Sequence, residues 1–151
     1  MFLDQLEDLI ATVMAARTKD PGGYPNRRVT QVLAAVLKVA FEVIPEDPTR
    51  AQDRQGDTLG SVHRRSFRAR FLQRYRPFFR YREAGGRRVI VLAWVNDDRT
   101  LRAYGSRSDA YAVFQTMLRQ GNPPDDWDAR LHATDAESER LRQIRCLGDP
   151  D

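Results

Sequence analysis

The chain has 151 residues, enough for one ordinary domain with its own core, and its 41% hydrophobic content is that of a globular rather than a disordered protein. No apolar run approaches the roughly 20 residues that a membrane-spanning helix needs. Met1 to Ile10 holds three acids and no base, unlike a secretory signal, and there is a single cysteine, Cys146; both point to the cytoplasm. The net charge is only +4, but it is unevenly distributed: residues 64–107 hold 13 bases and 3 acids, against 7 and 9 in residues 1–63 and 5 and 9 in residues 108–151. All the bases but Lys19 and Lys38 are arginines, which can grip phosphates through planar, paired hydrogen bonds. A basic middle between acidic flanks calls for an anionic partner.

Along the chain, Leu3, Leu6, Ile10, Val13 and Met14 recur at helical spacing, so residues 3–17 read as an amphipathic helix, broken by Asp20-Pro21-Gly22-Gly23. Val29, Val32, Leu33, Val36, Leu37, Ala40 and Ile44 predict a second helix over 28–44, ended by Pro45. Residues 46–66 are polar and read as loop. The period then switches to two. Phe67, Ala69 and Phe71 alternate with Arg68 and Arg70, giving a strand near 67–72. Tyr75, Phe79 and Tyr81 alternate with Arg76, Arg80 and Arg82, giving a second near 75–82 that Pro77 demotes towards an edge. After the Ala84-Gly85-Gly86 turn, residues 87–95 form a strand that is apolar enough from Val89 to be buried on both faces. Ser108-Asp109 opens a further helix bearing Ala110, Val113, Phe114, Met117 and Leu118, stopped by Gly121 and Pro123-Pro124. The order is α+β: a helical hairpin packed on a small antiparallel sheet, with another helix after the last strand. Residues 1–130 form the domain, and 131–151 a tail that is weakly helical or disordered.

Alternation places Arg68, Arg70, Arg76, Arg80 and Arg82 together, opposite the apolar residues of their strands. The expected result is a sheet with one face packed on helices and the other coated with guanidinium groups, able to track a phosphodiester backbone. Cleaving that backbone requires charge stabilisation and proton transfer. Arginine suits the first task but not the second, since its pKa lies above about 12. Tyr104 and Tyr111, close to Arg102 and Arg107, are candidates for the second. His63, beside Arg64 and Arg65, is a weaker candidate, and His132 weaker still. No glycine-rich phosphate loop, serine triad or metal-ligand spacing is present, so neither metal nor cofactor is expected.

The run Arg74-Tyr75-Arg76-Pro77-Phe78-Phe79-Arg80-Tyr81 resembles the second basic strand of the YhaV toxins, a RelE-like family. The segment Trp94-Val95-Asn96-Asp97-Asp98-Arg99-Thr100-Leu101-Arg102-Ala103-Tyr104-Gly105 is similar to their W-x-N-D-x-x-T-L-R-x-Y-G pattern, and the likeness continues through Asp109-Ala110-Tyr111 to Trp127. The resemblance implies a toxin of a type II toxin–antitoxin system that cleaves mRNA on the ribosome and is neutralised by a PrlF-type, swapped-hairpin antitoxin. It implies catalytic roles for Arg68, Arg70, Arg76, Arg102 and Tyr111, and RNA binding by Arg64, Arg65, Arg74, Arg80, Arg82, Tyr104 and Arg107. The RelE-like class opens with a strand where this sequence opens in a helix; that strand is absent, supplied by a partner or lost through a misplaced start, and its absence would expose a sheet edge. The alternative is a non-catalytic RelE-fold protein that captures RNA or a protein target, as gyrase poisons do.

Overall fold

The structure, a computed structural model, describes residues 2–50, 66–69, 71–101, 103–121, 126–135 and 138–148. Helix α1 runs from Phe2 to Lys19 and buries Phe2, Leu3, Leu6 and Val13. Helix α2 starts at Arg28 and is regular to Lys38; the chain then widens into a π-turn over Val39–Val43 and closes with a short helix α3, Ile44–Glu46. The helical run expected to end at Ile44, before Pro45, therefore continues two residues farther, to Glu46. Proline has no N–H to offer and its ring crowds the carbonyl four residues back, and a widened turn at that point lets the chain carry it.

Strands β1 (Ser66–Arg68), β2 (Pro77–Ala84) and β3 (Arg87–Val95) form one antiparallel sheet in the order β1-β2-β3. The first strand is shorter than its alternation suggests and begins a residue earlier, whereas the second keeps its expected length of eight residues and lies two residues later. Between them lies a tight reversal closed by an isolated Phe71–Tyr75 bridge, in which Leu72 and Gln73 hold φ of 42° and 61°. Few non-glycine residues adopt that conformation without strain. Gln73→Gly should therefore raise the stability by about 0.5–1 kcal/mol despite glycine's greater unfolded-state entropy, read as a higher midpoint in urea. The β2–β3 turn uses Gly85 and Gly86, both at positive φ, where glycine carries no such cost.

Register slips once, between Phe78 and Phe79, where Phe79 pairs with Leu92 but Phe78 with Trp94. The extra residue is Ala93, a bulge that turns Ala93 and Trp94 to the same side. Phe79, Ile90, Leu92 and Val95 pack against α1 and α2 in the main core, and Phe78, Ala93 and Trp94 against helix α4 (Ala110–Arg119) on the other side. Thus β3 is buried on both faces, as its composition predicts. The sheet face expected to be coated with arginine is instead half covered. Phe114 of α4 stacks on Phe78 at 4.2 Å and lies parallel to Trp94 at 5.9 Å. Alternation reports which residues share a face, not what packs on it.

Beyond α4 come α5 (Trp127–Asp135) and α6 (Ser138–Gly148). Helix α6 is fastened to α1. Arg140 pairs with Glu7 at 2.6 Å and Asp4 at 3.1 Å, an arrangement that raises the guanidinium's proton affinity, and Ile144 enters the main core. At the end of β3, the side chain of Gln5 both donates to the Val95 carbonyl (2.7 Å) and accepts from its N–H (3.1 Å). This is the reciprocal pair that a neighbouring strand would make. No helix among the described residues is long and apolar enough to cross a membrane.

Candidate active site

Where α4 stops covering the sheet, an open cleft of about 750 Å³ remains between β1, the start of β2 and the chain that leads into α4. Arg68, Arg76, Tyr104, Arg107 and Tyr111 line it, with Asp109 and Gln115. Five of the residues singled out in the sequence thus converge, although they come from four separate stretches of chain.

Each is held in its own way. Arg68 sits at the end of β1 opposite Phe78, and its guanidinium lies 4.7 Å from the centre of the Tyr111 ring, a cation–π contact. Tyr111 occupies the first turn of α4, with its ring edge-on to Phe78 at 5.6 Å, and is only 6% exposed. Arg76 is equally buried at 6%, and its guanidinium donates to the carbonyls of Gln73 (2.7 Å) and Tyr75 (2.8 Å). This arginine therefore both lines the cleft and ties down the reversal before it.

The buried Asn96 fixes the segment from behind. It accepts a hydrogen bond from the Arg76 N–H and donates to the carbonyls of Arg74 (3.0 Å) and Thr100 (2.9 Å). Asp97 then closes the following turn by accepting from the N–H groups of Arg99 and Thr100 and from the Thr100 hydroxyl. The Asn-Asp-x-x-Thr pattern is accordingly scaffolding for Arg76 rather than chemistry. Asp109 does the same for the opposite wall. It caps α4 by accepting from the Tyr111 N–H, and reaches back to accept from the Ala103 N–H at 2.7 Å, so that residues 103–109 form a closed loop. Gly105, at φ 81°, makes the turn inside that loop. Sequence reading took Asp109 only as a helix start and missed Asn96 and Gln115. Helical spacing from Tyr111 was the signal available for Gln115, and a short Asx-turn pattern for Asn96 and Asp97.

The other expected site residues are distributed differently. Arg80 is 6% exposed in the middle of the sheet and does not reach the cleft, which corrects its expected place on an open, RNA-facing surface. Its place on the central strand, paired with Ser66 of β1 and Val91 of β3, accounts for its position within the sheet. Arg74 is exposed in the reversal; Arg82 is exposed farther along β2, with its guanidinium 5.9 Å from the Trp127 ring. Arg64, Arg65, Arg70, Arg102 and His63 lie outside the described residues. His132 is exposed on α5, away from the cleft. Among the described residues, no three His, Cys, Asp or Glu side chains converge as a metal-binding set.

On the far side of the same wall, Tyr75 donates a short hydrogen bond to Asp98, and Arg28 bonds to both, at 3.1 Å to the phenol oxygen and 3.0 Å to the carboxylate. Burial first, then the Asp98 contact, pushes the Tyr75 hydroxyl above its ordinary pKa, while the Tyr75 hydrogen bond, helped by Arg28, holds the Asp98 carboxyl below the usual range. Tyr75 is therefore a protonated structural anchor that points away from the cleft.

The family model for Toxin YhaV, described as a toxin with endonuclease activity, of toxin-antitoxin system, matches residues 1–135. Toxin YhaV of Escherichia coli O6:H1 is 42% identical over 136 residues, covering 89% of this chain and 87% of that protein. Ribonuclease toxin YhaV of Escherichia coli strain K12 and Toxin YhaV of Escherichia coli O157:H7 are each 41% identical with the same coverage. No solved structure matches the chain. Helix α6, which begins at Ser138, lies beyond the family match.

Proposed function

Because the chain belongs to the YhaV family of toxins from toxin–antitoxin systems, we propose that it is an endoribonuclease whose chemistry takes place in the cleft between Arg68, Arg76, Arg107 and Tyr111. The observation that carries this reading is the convergence of three guanidinium groups and a phenol, on a polar, open surface large enough for a nucleotide. In the proposed reaction the RNA 2′-oxygen attacks the neighbouring phosphorus and the bond to the 5′-oxygen breaks. The 2′-hydroxyl gives up its proton and the 5′-oxygen gains one, leaving a 2′,3′-cyclic phosphate and a 5′-hydroxyl. Arg68, Arg76 and Arg107 hold the phosphate and stabilise the added negative charge of the transition state, so the cations come from side chains rather than a metal. The Tyr111 hydroxyl, held at the cleft wall by ring contacts on its other sides, is assigned the proton transfer. Arg70 and Arg102 are assigned to the same chemistry from the family resemblance, and Arg64, Arg65, Arg74 and Arg82 to the RNA strand beyond it.

The proposed substrate is mRNA, met on the ribosome, which can bend a strand into the in-line geometry this mechanism needs; translation stops as a result. The proposed partner is a PrlF-type antitoxin, acidic where it meets the 64–107 surface, because charges buried in an interface must be paired. Expression without antitoxin is expected to arrest growth and to create new mRNA 5′ ends bearing hydroxyl groups, with cleavage by the purified protein persisting in EDTA. Growth arrest without new 5′ ends would replace this reading with capture of a target by a non-catalytic relative.

A further inference from the structure

We propose that Leu72 is an apolar wedge that parts two successive bases of the bound RNA, next to the phosphate held in the cleft. The substrate class rests on the nuclease reading above; the wedge is argued from the structure. An exposed leucine means little by itself. Leu72, however, is 51% exposed in the reversal between β1 and β2 and holds φ of 42°, followed by Gln73 at 61°. Two costs thus fall on one residue: an apolar side chain in water, and a backbone conformation that suits asparagine or glycine. Asparagine at this position would remove both. A cost kept where a common residue would relieve it points to a contact made outside the chain.

The turn is held firmly in that shape. Phe71 and Tyr75 at its base are buried, bridge to one another and stack with ring centres 5.2 Å apart. Every carbonyl from Leu72 to Tyr75 accepts a hydrogen bond: that of Leu72 from the Arg74 N–H (2.7 Å), those of Gln73 and Tyr75 from the Arg76 guanidinium, and that of Arg74 from Asn96 (3.0 Å). The leucine is therefore presented on a base ordered before any ligand arrives. The turn also adjoins the cleft, because the guanidinium that grips the Gln73 carbonyl belongs to the cleft lining. Its surroundings select the partner: residues 64–82 hold eight arginines and no acid, which favours an anionic chain alongside. Leucine is among the side chains that enter between stacked bases and separate them. A 2′-oxygen attacks only from opposite the leaving 5′-oxygen, and a regularly stacked strand keeps it out of that line. Parting one base step beside the held phosphate frees the sugar to turn, so the chain itself supplies part of the in-line geometry.

The test uses single-stranded oligoribonucleotides blocked against cleavage by 2′-O-methyl groups, each carrying one 2-aminopurine, whose fluorescence rises when it is unstacked. The full-length protein is expected to brighten one position or two adjacent ones. Leu72→Asn should abolish that rise and slow cleavage of unblocked RNA by about ten- to a hundredfold. Its urea midpoint should be no lower than that of the wild type, since asparagine tolerates the left-handed backbone. Leu72→Met should keep both the rise and the rate. An equal rise in wild type and Leu72→Asn, no rise at any position, or a midpoint lowered enough to account for the lost activity would each overturn the proposal. So would a Leu72→Asn protein that loses its hold on an acidic protein partner but keeps the RNA signal, which would assign the leucine to that partner. A rise that depends on Leu72 in a protein that leaves unblocked RNA intact would instead sink the nuclease reading and leave the wedge standing. Cleavage of unblocked RNA by Leu72→Asn at the wild-type rate would do the reverse.

Discussion

Arg68→Ala should slow RNA cleavage by roughly a hundred- to a thousandfold while leaving a folded protein, the scale of one lost contact to a developing negative charge, about 2.7–4 kcal/mol. The side chain is half-buried at a strand end, its guanidinium faces the cleft, and the contact it gives up inside the protein is one cation–π pair with Tyr111, worth about 0.5–2 kcal/mol. Arg76 needs a different substitution. Its two hydrogen bonds to the Gln73 and Tyr75 carbonyls hold the strained reversal, so Arg76→Ala would lower stability together with activity. Arg76→Lys keeps the charge but not the planar fork, and is expected to lose cleavage by a similar factor with a smaller loss of stability. Single-turnover cleavage of a labelled RNA, measured beside urea denaturation of each variant, separates the two effects. Arg68→Ala cleaving at the wild-type rate would remove the cleft from the mechanism.

Phe114→Ala should cost about 3–5 kcal/mol of folding free energy, a large part of the 5–15 kcal/mol typical of a domain. Phe114 is fully buried and its ring meets both Phe78 and Trp94, so it is the main fastening of α4 to the sheet. The space left by truncation lies between two rigid rings and cannot readily collapse. Because α4 also carries Tyr111 and the Asp109 cap, the variant should lose cleavage at temperatures where a fraction remains folded. Phe114→Leu, which refills most of the space, should retain more than half of the lost stability. A Phe114→Ala protein with the wild-type denaturation midpoint would mean that α4 is not anchored through these rings.

The sequence made the elements legible but not what covers them. Helical spacing located α1, α2 and α4, because each needs an apolar stripe whatever its partner. Alternation identified Arg76 and Arg80 as occupants of one face, which is correct. It could not tell that α4 would lie on that face, with Arg80 buried and Arg68 and Arg76 left at a cleft, since that depends on how the chain returns after β3. The short reversal at Leu72 and Gln73 was equally hidden, because neither residue type advertises a left-handed backbone. The site itself emerged through its arginines and tyrosines, whereas Asn96 and Asp109, which fix its two walls, look in the sequence like ordinary turn and cap residues.

The Gln5 side chain gives the edge of the sheet a further property. A strand with free N–H and C=O groups is a template for indiscriminate pairing, and the apolar run from Val89 to Val95 would make β3 an adhesive one. At its start the strand carries the exposed charges of Arg87 and Arg88, which repel a second copy of themselves. At its end, both polar groups of Val95 are already taken by a side chain from α1. Copies of the chain crowded together thus find the two ends of this strand closed to zipping.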